Sequence, residues 1–433
     1  MRARLPRLDE VNPARAWEPW RPDDNQRFDL RWAGHLYRRA AFGGMLDELR
    51  QAVKNGPDAT VDRLMKGDPA AANYEPLIAA SGASIAQSGD EANLRGWWLY
   101  AMLYGGHPLR EKLTLFWHNH FATSVAKVRN VPAMLAQNQI IRKYALGSFR
   151  AMLSDISRDP AMLIWLDSNR NVKGQANENF ARELLELFTL GVGHYCERDI
   201  REAARAFTGW HTDGELFTFS ARYHDGTGKE FMGQKGEFDG GDIQKIALNQ
   251  PAAALFLARK LYRFFVSESA DPPNTLLEPL AERLRTNDFE IAPVVAMILR
   301  SRHFFSEHAY RQRVKSPVEY VLGVVRVVKP DVAPRDLVNS LEQMGQSLFA
   351  PPNVKGWVGG KAWLNSATVL ARQNFAESML GGQPGPPPLP PAPPDGDGAT
   401  FTATDIPPAV ASKPGAPAPL DNAITKLIQA EKP

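Results

Sequence analysis

In the stretch FWHNHFATS, His118 and His120 flank Asn119 among aromatic residues at the end of an apolar run. Imidazole carries a proton near neutral pH and ligates divalent metals, so a close pair points to acid–base work or to a metal site. Spacing decides how the two can cooperate. Side chains two apart on a helix diverge by about 200°, so His118 and His120 meet at one ion only where the helix stops. On a helix that continues, His120 joins the face of Leu113, Phe116 and Trp117, and the His-Asn-His run becomes a hydrogen-bonded lock at a helix end.

A second stretch, NENFARELLELFTLGVGHY, puts Phe180, Ala181, Leu184, Leu187 and Phe188 on a core face, with Asn179, Arg182, Glu183 and Glu186 as a polar stripe beside it. Capping explains Asn177, and a dipole-favourable Glu178 paired i,i+4 with Arg182 explains those two. Glu183 and Glu186 are less easily dismissed. They lie one turn apart on a helix apolar over much of its circumference, where a carboxylate needs a partner and its pKa shifts. They are the candidate acid and base, assisted by His118 or His120. With both histidines, Glu183 is also the candidate ligand set for a divalent metal, while Arg182 and Asn179 would hold a polar or anionic group of a substrate.

Two further stretches offer binding rather than catalysis. AFTGWHTDG and RYHDGTGK present Trp210 and His224 beside glycine turns, although Asp225-Gly226 is also ordinary turn chemistry. QSLFAPPNVKGWVGGKAWLN is a stiff Gly/Pro loop carrying Trp357 and Trp363. Aromatic and amide side chains together form a carbohydrate platform, and equally a plug over a helical core.

The elements that must position these residues are mostly helices. Apolar periodicity predicts them over 46–54, 92–104, 109–120, 131–144, 177–190 and 199–207, and in several later segments opened by Pro or Ser. Repeated glycines among aromatic and β-branched residues predict a hairpin excursion over 211–242. The expectation is a mainly α, single multi-helix globular domain with a small β-hairpin excursion. Residues 1–27 form an irregular arm docked by Trp17 and Trp20, residues 28–380 the helical core, 381–420 a proline-rich linker, and 421–433 a short amphipathic helix.

Bulk properties exclude several classes. The 433 residues are 44% hydrophobic, and 51 basic and 48 acidic residues are interspersed along the chain, so no nucleic-acid footprint stands out. A single cysteine, Cys196, rules out an intrachain disulfide framework. No run reaches transmembrane length, and the first residues lack the apolar core of a secretory signal, so the sequence as given is expected to be cytoplasmic.

Taken together and in order, HLYRRAAFGG, PLREKLTLFWHNHFATS, NENFARELLELFTLGVGHY with DIREAARAFTGW, HDGTGK and PPNVKGWVGGKAWLNSATVLARQNF resemble the domain of unknown function 1800 family of uncharacterised bacterial proteins, from Gly34 to about Ala376. The resemblance implies a site shared by His118, His120, Glu183 and Trp210. It also implies frequent export and a gene neighbourhood that includes a sulfatase-like protein, a candidate partner. The proline-rich C-terminal region departs from the family pattern. The functional expectation is a hydrolase acting on a polysaccharide or other polar polymer through a His/Glu site. The alternative is a non-catalytic glycan- or protein-binding assembly factor whose polar motifs are structural.

Overall fold

Helix start signals punctuate the chain so often that it folds into many short helices rather than a few long ones. Asp29, Asp90, Asn130, Ser148, Asp159, Asp239 and Asn365 each accept a hydrogen bond from a backbone N–H in the first turn of the helix that follows. Proline opens the helices at Pro13, Pro57, Pro108, Pro160 and Pro251, where its missing N–H has no intrahelical partner to lose. A computed structural model describes residues 7–328 and 331–381, all within one compact unit, Met1–Pro388. Residues 382–433, which take in a second unit, Leu389–Pro433, the expected C-terminal helix and all of the expected linker after Gly381, lie outside the described residues.

The architecture is mainly α, with two small antiparallel ribbons. The Pro108–His120 helix runs through the core. Leu109, Leu113 and Trp117 are fully buried on it, and so are Glu111 and Lys112. Buried charges are stable only when paired. Glu111 accepts from Arg142 at 3.0 Å and from the Trp98 indole at 3.3 Å, and Lys112 lies 2.6 Å from Glu319 while donating to the Arg38 and Ala41 carbonyls. The helices Glu91–Tyr104 and Val131–Tyr144 pack against it, and Pro251–Phe265 pairs with Asn274–Thr286 as a helical hairpin.

Two expectations need revision. The N-terminal arm contains helical turns at Leu8–Glu10 and Pro13–Trp17 where irregular chain was expected. It is docked by its tryptophans: the Trp17 indole donates to the Leu276 carbonyl at 2.7 Å, and Trp20 stacks on Phe305 at 4.4 Å. The expected continuous helix over 177–190 is α-helical only over Asn179–Glu183 and then widens to a π-helix, Leu184–Thr189. There the Thr189 hydroxyl and the Leu190 N–H reach back five residues to the carbonyls of Leu184 and Leu185.

The β excursion is two separate ribbons. Trp210–Thr212 pairs with Phe217–Phe219, and Lys229–Phe231 pairs with Gln234–Gly236. The second ribbon turns through Met232 and Gly233, both at positive φ, as a two-residue hairpin whose twist matches its strands requires. The excursion ends at Asp239, which caps the helix Gly240–Leu248, a few residues before the expected boundary at 242. Among the described residues no helix is long and apolar enough to cross a membrane.

Candidate functional site

His120 is the last residue of its helix and sits among Trp117, Phe121, Phe149 and Phe188. Its Nε2 lies 3.1 Å from the Phe188 carbonyl. A carbonyl only accepts, so Nε2 carries the hydrogen and Nδ1 is left with a bare lone pair. That lone pair accepts from Lys260 Nζ at 2.9 Å, and Lys260 also donates to the Leu187 carbonyl at 3.1 Å. The two side chains thus occupy the carbonyls of Leu187 and Phe188 at the end of the π-segment, which its own turns leave unused. Burial, reinforced by Lys260, holds the imidazole neutral, well below its ordinary pKa, and burial pushes the ammonium down to about 7.

His118 points elsewhere, into a cage of Trp98, Phe349 and Trp357. Burial pushes its pKa down to about 3, and among the described residues its Nε2 has no hydrogen-bond partner. Between the histidines, Asn119 clasps the backbone of Trp357, accepting from its N–H at 2.7 Å and donating to its carbonyl at 3.2 Å. Gly356 lies so close that an added Cβ would collide with the Asn119 amide and backbone carbonyl, and its φ of +75° is strained for any other residue. The first and fourth motifs therefore meet, and what they build is a seal. Trp357 and Trp363 are 7% and 8% exposed, which makes them plugs rather than an open aromatic platform.

Glu183 and Glu186 are half-buried on the face of the α-to-π helix. The Tyr195 hydroxyl donates to Glu186 at 3.2 Å, and Lys355 from the tryptophan loop lies 3.5 Å from its other oxygen. Burial, with Glu186 adding repulsion, raises the Glu183 carboxyl. Arg182 is committed to Glu178 at 3.0 Å and Glu197 at 2.9 Å, while Asn179 is exposed and its N–H is capped by Asn177. The second and fourth motifs thus share this surface. Among the described residues no hydrogen bond or ion pair joins Glu183 or Glu186 to either histidine. No group of three His, Cys, Asp or Glu side chains there could hold a metal ion, so His118, His120 and Glu183 do not form the ligand set their residue types suggested. They diverge because the helix continues through His120.

The third motif builds its own network. Trp210 is buried under the Arg158 guanidinium at 4.5 Å and against Phe207 and Phe217. The His224 Nδ1 donates to the Thr208 carbonyl at 2.8 Å, Asp225 binds Arg205 at 2.8 Å, and Lys229 donates to the Asp225 carbonyl at 2.6 Å. Hydrogen bonds from Arg205 and Thr227 hold the Asp225 carboxyl well below its usual range against the opposing effect of burial. Phe180 against Phe207 at 4.8 Å joins this region to the glutamate helix.

None of the residues named so far as candidates lines either of two cavities in the helical body. The smaller, about 110 Å³, lies beside Glu48, Arg63 and Arg326. The larger, about 280 Å³, is lined by Arg38 and Arg39 of the Leu30–Ala40 helix, by Arg311, Arg313 and Lys315 of the loop that precedes the Pro317–Val328 helix, and by Glu319. Two signals in the sequence mark it: adjacent arginines on a helix whose flanking residues Leu36, Tyr37 and Ala40 are core, and the dense RQRVK run.

Fold and motifs define a mainly helical domain whose marked polar segments lie largely at helix ends and tight loops. The chain belongs to the family described as Protein of unknown function (DUF1800), whose model matches residues 35–432. Among curated proteins and among solved structures, none matches the chain.

Proposed function

We propose that the chain is a non-catalytic binding or assembly protein, in which the family motifs lock a helical scaffold. The observation that carries this reading is the fate of the His-Asn-His run: Asn119 is spent clasping Trp357, His120 is spent with Lys260 on two helix-end carbonyls, and His118 is enclosed by aromatic rings. A buried polar network of this kind specifies one packing of a core. A polysaccharide or the sulfatase-like protein implied by the family resemblance is the partner class this reading takes forward. His120→Ala and Asn119→Ala are expected to lower the melting temperature, and the purified chain is expected to leave polysaccharide and ester substrates intact. A hydrolytic activity that Glu183→Gln abolishes at unchanged melting temperature overturns the reading.

One observation favours a second reading, a hydrolase. Burial raises the Glu183 carboxyl, which is half-buried and stands beside Glu186 and Lys355, and paired carboxylates are the groups that glycoside hydrolysis uses. The same Glu183→Gln assay decides between the two.

A further inference from the structure

We propose that the arginine-lined cavity is a binding site for a small organic oxyanion, a phosphate or sulfate monoester. Five cationic side chains, from Arg38, Arg39, Arg311, Arg313 and Lys315, face one carboxylate, that of Glu319. Glu319 is already committed. It lies 2.6 Å from Lys112 beneath it and 3.3 Å from Arg313, and it accepts the Ser316 N–H at 2.8 Å. The next acid, Glu268, accepts the Val314 N–H and reaches only Arg313, at 3.8 Å. No ion pair among the described residues uses Arg38, Arg39, Arg311 or Lys315.

A structural role accounts for part of this set. Arg39 is buried and donates to the carbonyls of Val266 and Ala309, which ties its helix to the core, and Arg313 lies over Phe264. Arg38, Arg311 and Lys315 have no comparable duty. Tyr310 acts on the Arg38 guanidinium, Arg311 lies 5.4 Å from the Tyr310 ring, and Arg311 and Lys315 are exposed. Holding these cations together opposes folding: burial lowers the pKa values of Arg38 and Arg39, and Arg311 and Arg313 respectively add to the shift. The backbone is also held against its preference, because Arg311 sits at φ +60°, a left-handed conformation that favours glycine or asparagine. Finally, among the described residues the buried Nε–H of Arg313 makes no hydrogen bond, the Glu268 carboxylate standing 3.8 Å away.

An oxyanion answers each of these features. Guanidinium forks match phosphate and sulfate oxygens two at a time, and a bound anion neutralises the excess charge. The volume selects the rest of the ligand. A water occupies about 30 Å³ of liquid, so a cavity of about 280 Å³ has room for an organic group behind the oxyanion.

The test uses the full chain in thermal melts and titration calorimetry at constant ionic strength set with chloride. Ligands are inorganic phosphate, inorganic sulfate, a hexose 6-phosphate, a hexose 6-sulfate and the neutral hexose. At least one ester is expected to raise the melting temperature and to bind at one site, tenfold or more tighter than its inorganic anion, while the neutral hexose has no effect. The double variant Arg38→Gln/Lys315→Gln is expected to melt at or above the wild-type temperature without ligand and to bind the ester at least tenfold more weakly. The phosphate and sulfate arms separate the two sources of the oxyanion. No response to any ester, an equal response in the double variant, or binding of inorganic anions alone overturns the assignment. The inference goes beyond the proposed function and stands apart from it: release of inorganic phosphate or sulfate from a bound ester would defeat the non-catalytic reading and leave the site in place.

Discussion

The Pro108–His120 helix serves two regions that treat polar side chains in opposite ways. At its end, Asn119 and His120 find partners within the protein, aromatic rings close over His118, and Lys260 is spent on His120 and the Leu187 carbonyl. Near its middle, Lys112 supports Glu319 at the wall of a cavity where cations outnumber carboxylates. The histidine region has the residue types of a site and the packing of a core. The arginine region is marked in sequence only by clustered basic residues and keeps donors unspent. Unspent charge around a cavity, more than the presence of histidine, is what separates a place that can bind from a place that only holds.

If the arginine region is organised by charge, its largest weakness is Glu319. Glu319→Gln leaves Lys112, fully buried, with the carbonyls of Arg38 and Ala41 and a neutral amide in place of its countercharge. Removing one partner of a buried pair costs about 3–5 kcal/mol, which denaturant unfolding at pH 7 would register. The pH dependence has a defined sign. Burial alone would raise the Glu319 carboxyl, but Lys112 and Arg313 hold it well below its ordinary range. Its contribution is therefore present above the unfolded carboxylate pKa and is lost as pH falls through the folded value. A loss under about 1 kcal/mol on this substitution would break the comparison, since it would mean that charge does not organise this wall.

The histidine region should respond to shape instead. Gly356→Ala drives a methyl group into Asn119 at a positive-φ position and should open the clasp on Trp357. A cost of about 2–3 kcal/mol is expected from the combined clash and backbone strain, read as a fall in denaturation midpoint. A simultaneous rise in the accessibility of Trp357 to a fluorescence quencher would place the damage at the clasp. An unchanged midpoint would show that the clasp does not contribute to stability.

Much of this architecture was legible from periodicity and punctuation. The amphipathic pattern over 199–207 yields the helix Glu197–Ala206, and the glycine-rich aromatic stretch yields the two ribbons. The π-segment was not legible, because a shift to five-residue hydrogen bonding leaves no mark in the order of apolar residues. The environment of the histidines was hidden for a different reason. Trp98, Lys260, Phe349 and Trp357 come from segments far apart in sequence, and Lys260 in LARKLYRFF looks like a surface lysine. Arg38 and Arg39 stood in plain view within HLYRRAAFGG, but only the fold brings Arg311, Arg313 and Lys315 against them.

The smallest effect expected is a gain, and it probes whether His118 has any duty that needs its nitrogen. Its Nε2, buried among the rings of Trp98, Phe349 and Trp357, has no hydrogen-bond partner among the described residues, so His118→Phe replaces an unsatisfied polar atom with an apolar ring of similar shape. About 1 kcal/mol of added stability is expected at pH 7. The advantage should widen in acid. The unfolded imidazole takes up a proton near its ordinary pKa of about 6.5, whereas the folded one refuses it until about pH 3. Wild-type stability attributable to this group is therefore complete above the unfolded value and lost between the two, and the phenylalanine variant has no such loss. Comparing unfolding of the two proteins at pH 7 and pH 5 isolates the histidine, because every other group titrates in both. A destabilised variant would mean that His118 Nε2 meets a partner, a water or a ligand, and the histidine end would then have to be regarded as a site after all.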